Sequence, residues 1–187
     1  GEMTNTAWKE TINGMTWGWT GIRGTWSGSD AAFSMQRMQE LGVNWTALAL
    51  GALQQTAQST EIAYWDAPTV SDEEVRWAIR EAKGIGLKVC LKPVVNCANG
   101  TWRAHICFFA EEVPGEPSWG DWFKSYGSFI LHYARIAQEE GCEMLCIGCE
   151  MVQADARERE WRELIRQVRE VYKGIITYNC DKYQEDR

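Results

Sequence analysis

Four times along the chain, a charged stretch with apolar residues at three- and four-residue intervals gives way near a glycine to a short apolar run. "AAFSMQRMQELG" (31–42) precedes "VNWTALAL" (43–50), and "SDEEVRWAIREAKGIG" (71–86) precedes "LKVCLKPVV" (87–95). "FKSYGSFILHYARIAQEEG" (123–141) leads into "CEMLCIG" (142–148), and "AREREWRELIRQVREVYKG" (156–174) into "IITYN" (175–179). The first member of each pair predicts an amphipathic helix. In the second pair Val75, Ile79 and Ala82 fall on one face, and Ser71 with Glu74 forms a capping box at its start. Gly42, Gly86, Gly141 and Gly174 stand where helices end. The apolar runs are nearly continuous, as in parallel strands buried on both faces.

With "INGMTWGW" (12–19) as an opening strand, strands and helices alternate through to a fifth strand. Such alternation implies an α/β fold with a parallel sheet and right-handed crossovers, either doubly wound or a barrel. After the first strand, "GIRGTW" comes nearest to a dinucleotide-binding GxGxxG turn, and its spacing is wrong. The segments that follow strands, 51–70 and 95–118, are much longer than those that precede them. In a (β/α) barrel the long connections lie at the C-terminal face of the strands, where active sites are built.

Composition narrows the function classes. A chain of 187 residues can bury one substantial core, and 45% hydrophobic with 24% charged residues fits a globular protein. The formal charge of -7, without a Lys/Arg-rich run, argues against a nucleic-acid footprint. No apolar run reaches the length of a membrane span, and "GEMTNTAWKE" is not a signal peptide. Seven cysteines, an odd number placed mostly in apolar segments, fit reduced thiols in the cytoplasm better than a disulfide framework. A signal trimmed ahead of the leading Gly1 would instead make the protein secreted. Eleven tryptophans stand out, many beside Gly, Asn or Asp in "MTWGWTGIRGTW", "NGTWRA" and "SWGDWF". Those contexts predict loops that line a cleft.

The stretch "CEMLCIGCEM" (142–151) carries two competing chemistries. Cys142-x3-Cys146-x2-Cys149 has the spacing of the radical-SAM iron–sulfur motif. On a strand, however, Cys142 and Cys146 would point the same way with Cys149 at the end, so three thiolates would not converge. Buried free cysteine packs as a small hydrophobe, and no second Cys pair or His stands at zinc-ligand spacing. Glu150 differs, because a strand would deliver it to the rim of the sheet. There it is either a structural carboxylate that caps a helix or pairs with an Arg, or a partly desolvated general acid. Lys92, read as closing the third strand, and Asn179, closing the fifth, would meet it at that rim among Trp17, Trp19 and Trp102. Flat aromatic faces with a few polar groups are what a sugar ring needs, since its C–H faces stack and its hydroxyls pair.

The motifs "GMTWGW", "LKP" with "NGTWRA", "IGCEM" and "TYN" resemble glycoside hydrolase family 113, the β-mannanases of a retaining clan built on (β/α)8 TIM-type barrels. The resemblance implies an incomplete barrel, with residues 1–187 forming the N-terminal part of one catalytic domain and covering about five of its eight strands. It implies an oligo- or polysaccharide substrate, β-1,4-mannan or manno-oligosaccharides, with Glu150 as acid/base. Trp17 and Trp102 would be stacking walls, and Lys92 and Asn179 would bind hydroxyls. No metal or cofactor, nucleic acid or membrane is involved. Cys149 stands where many relatives in the clan place Asn. The family's nucleophile, a Glu at the end of the seventh strand, has no counterpart in this chain, so self-association or a complementary C-terminal chain is expected. The rival readings are a radical-SAM enzyme using Cys142, Cys146 and Cys149, and a non-catalytic carbohydrate-binding protein. His105 and His132 are read as packing residues, and Glu111, Glu112 and Glu116 as a solvated loop.

Overall fold

The computed structural model describes residues 14–17, 23–26, 29–149, 151 and 153–178. Among the described residues five strands alternate with four helices in the order β1 (Gly14–Trp17), α1 (Ser29–Glu40), β2 (Trp45–Gln54), α2 (Asp72–Gly84), β3 (Lys88–Cys97), α3 (Trp119–Glu140), β4 (Met144–Cys146), α4 (Glu158–Val171) and β5 (Ile175–Thr177). Short 3-10 turns occupy Arg103–His105 and Ala154–Ala156.

Local chemistry explains the helix ends. Ser71 and Glu74 make both halves of the expected capping box at the start of α2. The Ser118 hydroxyl accepts from the Asp121 N–H and starts α3. Gly141 ends α3 in the left-handed conformation, φ 72°, with its N–H turned back onto the last turn. Gly174 has a different role from the one its position suggested. α4 has already ended with Tyr172 extended, and a side chain at Gly174 would collide with the Tyr172 hydroxyl and the Glu143 carbonyl. Glycine is there for close packing, not for capping.

The strand order is β1-β2-β3-β4-β5, and every pairing is parallel. A doubly wound sheet reverses its order at a switch point; this one never does. All crossovers of one hand then put every helix on the same face, and the core divides accordingly. Leu48, Leu50, Leu91, Val95 and Leu145 join the large cluster beneath the helices. Trp45, Ala47, Cys90, Met144 and Cys146 form a small cluster on the opposite face. That second face is the inner wall of a (β/α) barrel.

Two expectations about side chains change here. Trp119 and Trp122, expected in a cleft-lining loop, lie in the first turns of α3 and are buried, as is Trp26. Trp122 donates its indole N–H to Gln54 Oε1 at 2.9 Å and stacks on Tyr126. The helix is capped by Ser118 and starts at Trp119, so the Gly120–Asp121 pair that resembled a turn is helical. Cys142 and Cys146 do not share a face either. Cys142 precedes β4 and packs with the helix-side cluster, whereas Cys146 packs on the inner face. The alternation rule applies only inside the strand, and residue 142 lies outside it.

Candidate active site at the C-terminal rim

The long connections all leave the C-terminal strand ends: residues 55–71 after β2, 98–118 after β3 and 147–157 after β4. The returns, 41–44, 85–87, 141–143 and 172–174, are short. Trp102 stands in the longest loop, just before the first 3-10 turn, with 54% of its surface exposed. Its ring meets His105 edge-on at 5.8 Å. His132 lies elsewhere, on α3, bonded through Nε2 to Asp72 at 2.9 Å.

Lys92 is not at a strand end. β3 runs on to Cys97, and Lys92 pairs with Ala49 in the middle of the ladder, fully buried. Pro93 does not stop the strand, because its fixed φ is compatible with extended backbone. Counting by twos from Cys90 keeps Lys92 on the inner face and brings Asn96 to the rim on that same face. The sequence reading passed over Asn96, although "LKPVVN" with this alternation contains the signal.

Arg103 was also missed, and it joins the two strand ends. From the post-β3 loop it donates Nε–H to the Val95 carbonyl at 2.9 Å and Nη2–H to Asn96 Oδ1 at 2.6 Å. Its Nη1 lies 4.0 Å from Cys149 Sγ. Arg103 is buried, as are Cys149 and Met151, the residues on either side of Glu150. The guanidinium thus ties the end of β3 to the segment immediately before Glu150. Burial pushes the nearby Cys97 thiol up, with the Arg103 charge opposing part of that effect. On the other side, the Ile147 N–H donates to the Thr177 carbonyl at 2.9 Å, holding the ends of β4 and β5 together. Cys146 Sγ donates to the carbonyls of Gly148 and Tyr178.

Glu150, Asn179 and Trp19 lie outside the described residues, and so does the side chain of Trp17, whose backbone ends β1 opposite Leu48. Because Cys142 and Cys146 occupy opposite faces, the three sulfurs of the radical-SAM reading do not converge. Among the described residues no helix is long and apolar enough to cross a membrane.

The model of glycoside hydrolase family 113 matches residues 15–187. One solved structure of a family 113 β-1,4-mannanase is 49% identical, with a TM-score of 0.87 over 88% of this chain and 54% of that one. A complex of a family 113 β-1,4-mannanase is 52% identical, with a TM-score of 0.89 over 94% and 57%. The family 113 β-mannanase from Alicyclobacillus acidocaldarius, in complex with ManMIm, is 45% identical, with a TM-score of 0.84 over 88% and 53%. This chain therefore spans little more than half the length of those structures. No curated protein matches it.

Proposed function

The chain belongs to glycoside hydrolase family 113, and from that premise we propose that it carries the acid/base side of a retaining β-mannanase site. On a (β/α)8-barrel scaffold Glu150 would come from the segment that follows β4, directly after Cys149 in the sequence. The observation that carries this reading is the Arg103 bridge, which fixes the approach to Glu150 against the end of β3. Glu150 would protonate the glycosidic oxygen and later take the proton from the water that releases the sugar. A retaining pair needs a second carboxylate about 5–5.5 Å away, which we place on a strand beyond these five. Trp102, exposed on the rim, would stack on the substrate with Trp17, and Asn179 would bind a hydroxyl. Lys92, buried on the inner wall, would support the floor beneath the sugar. The family assignment displaces the radical-SAM reading.

Replacement of the acid tests the role. In the complete enzyme, Glu150→Gln should lower turnover of β-1,4-mannan by about 10²–10⁴-fold, the range for general acid–base catalysis. Cleavage of an aryl mannoside whose leaving group needs no proton should suffer far less in the glycosylation step. Equal losses on both substrates would make Glu150 a structural residue. Mannan binding with no cleavage by the complete, unmodified protein would favour a non-catalytic carbohydrate-binding protein.

A further inference from the structure

Resting on the sugar-binding reading of this rim, we propose that Asn96 is a binding residue that donates to one substrate hydroxyl, and that Arg103 is the residue that positions it. A guanidinium has five N–H donors and no acceptor. The amide atom of Asn96 that faces Arg103 at 2.6 Å must therefore be the oxygen. With Oδ1 committed to a cation, covalent geometry turns the NH2 group away from Arg103. It lies over Gly51, where an added Cβ would sit 2.9 Å from Asn96 Nδ2. Glycine at this register position of β2 leaves the space that the amide occupies.

Asn96 is half-buried at the C-terminal end of β3, on the face that becomes the barrel's inner wall. It shares Arg103 with Cys149, the residue before the proposed acid. The arrangement is thus an oriented, partly desolvated N–H donor at the mouth of the site. A free asparagine can present either end of its amide to a ligand. This one presents only the donor end and would select a group that accepts: a sugar hydroxyl oxygen, not an ammonium or another N–H. A donor locked in one orientation also loses little entropy when it binds.

The test is a cycle between side chain and substrate, read as affinity by titration calorimetry on the complete protein. Its ligands are a manno-oligosaccharide and a set of analogues, each lacking one hydroxyl. For the unmodified protein, removal of one particular hydroxyl should weaken binding about tenfold. For Asn96→Ala that penalty should vanish, while the penalties at other hydroxyls persist. Gly51→Ala, which crowds the amide but leaves Arg103 and every polar group in place, should give the same pattern, and it serves if Asn96→Ala fails to fold. Arg103→Lys keeps the charge but loses the planar fork, and it should reduce discrimination at that same hydroxyl. Penalties that persist at every hydroxyl in Asn96→Ala and Gly51→Ala would overturn the proposal while leaving the glycosidase reading intact. Failure of the unmodified protein to bind any manno-oligosaccharide would overturn both.

Discussion

At the scale of single residues, Trp102 and Trp122 show how one side chain serves two purposes in this molecule. Trp122 is fully buried, stacked at 4.7 Å on Tyr126, and its N–H is satisfied by Gln54. Its value is packing. Trp102 is half exposed on the rim loop, with an edge contact to His105. Truncating such a surface residue changes stability within about 0.5 kcal/mol. Losing an aromatic platform costs about 1–3 kcal/mol of binding, by analogy with bases stacked on aromatic side chains. Trp102→Ala is therefore expected to weaken manno-oligosaccharide binding by about that amount, with an almost unchanged melting temperature. Calorimetric titration beside a thermal melt separates the two. A lower melting temperature with undiminished affinity would make Trp102 a structural residue. The sequence placed both tryptophans in loops because Gly, Asn and Asp stood nearby. Only the cap at Ser118 distinguishes a turn from the first turn of a helix, and it acts on Trp119 and Trp122 alone.

At the scale of elements, Glu74 does more than cap α2. Its carboxylate accepts from the Ser71 N–H and hydroxyl, and also from the backbone N–H groups of Gly24, at 2.9 Å, and Trp26, at 3.0 Å. The residues preceding α1 are thereby fastened to the start of α2. Desolvation alone would raise the pKa of this carboxyl, but the N–H donors from Gly24, Trp26 and Ser71 outweigh it and hold the pKa below its ordinary value. The sign of the pH effect follows. Between the folded and unfolded pKa values the unfolded chain binds more protons, so this contribution is complete above the unfolded value. It is lost as pH falls through the folded one. Glu74→Gln should cost about 1–2 kcal/mol at pH 7. It should also flatten the loss of stability on acidification below about pH 4. Urea melts of both proteins at pH 7 and pH 3 measure the two effects. An unchanged acid slope in the variant would mean that Glu74 contributes nothing by titrating.

At the scale of the whole molecule, the sequential parallel sheet leaves β1 and β5 at its margins among the described residues. Each margin carries backbone groups that a further strand would pair, and the inner face is lined by apolar groups such as Met144 and Ala47. An open sheet edge favours association. The 187-residue chain produced alone should therefore self-associate and leave mannan uncleaved, because a retaining reaction needs a second carboxylate from across the barrel. Supplying the remaining barrel strands as a separate chain should restore turnover where the halves assemble. Light scattering and a reducing-sugar assay read the two outcomes. A monodisperse monomer that hydrolyses mannan would refute the half-barrel account.

The sequence by itself determined the element order, the capping box at Ser71, the glycine stop at Gly141 and, through the family's motifs, the β-mannanase fold. These signals act within a few residues or sit in short contiguous words such as "NGTWRA" and "IGCEM". Tertiary structure decided that the sheet winds in one direction, that Lys92 lies within its strand, and that Cys142 and Cys146 face opposite sides. It alone revealed the link from Asn96 through Arg103 to Cys149. Arg103 and Cys149 are 46 residues apart, and their meeting depends on β3 and β4 lying side by side. Periodicity and capping are fixed by neighbours along the chain, whereas convergence at a rim is fixed by which strands pair.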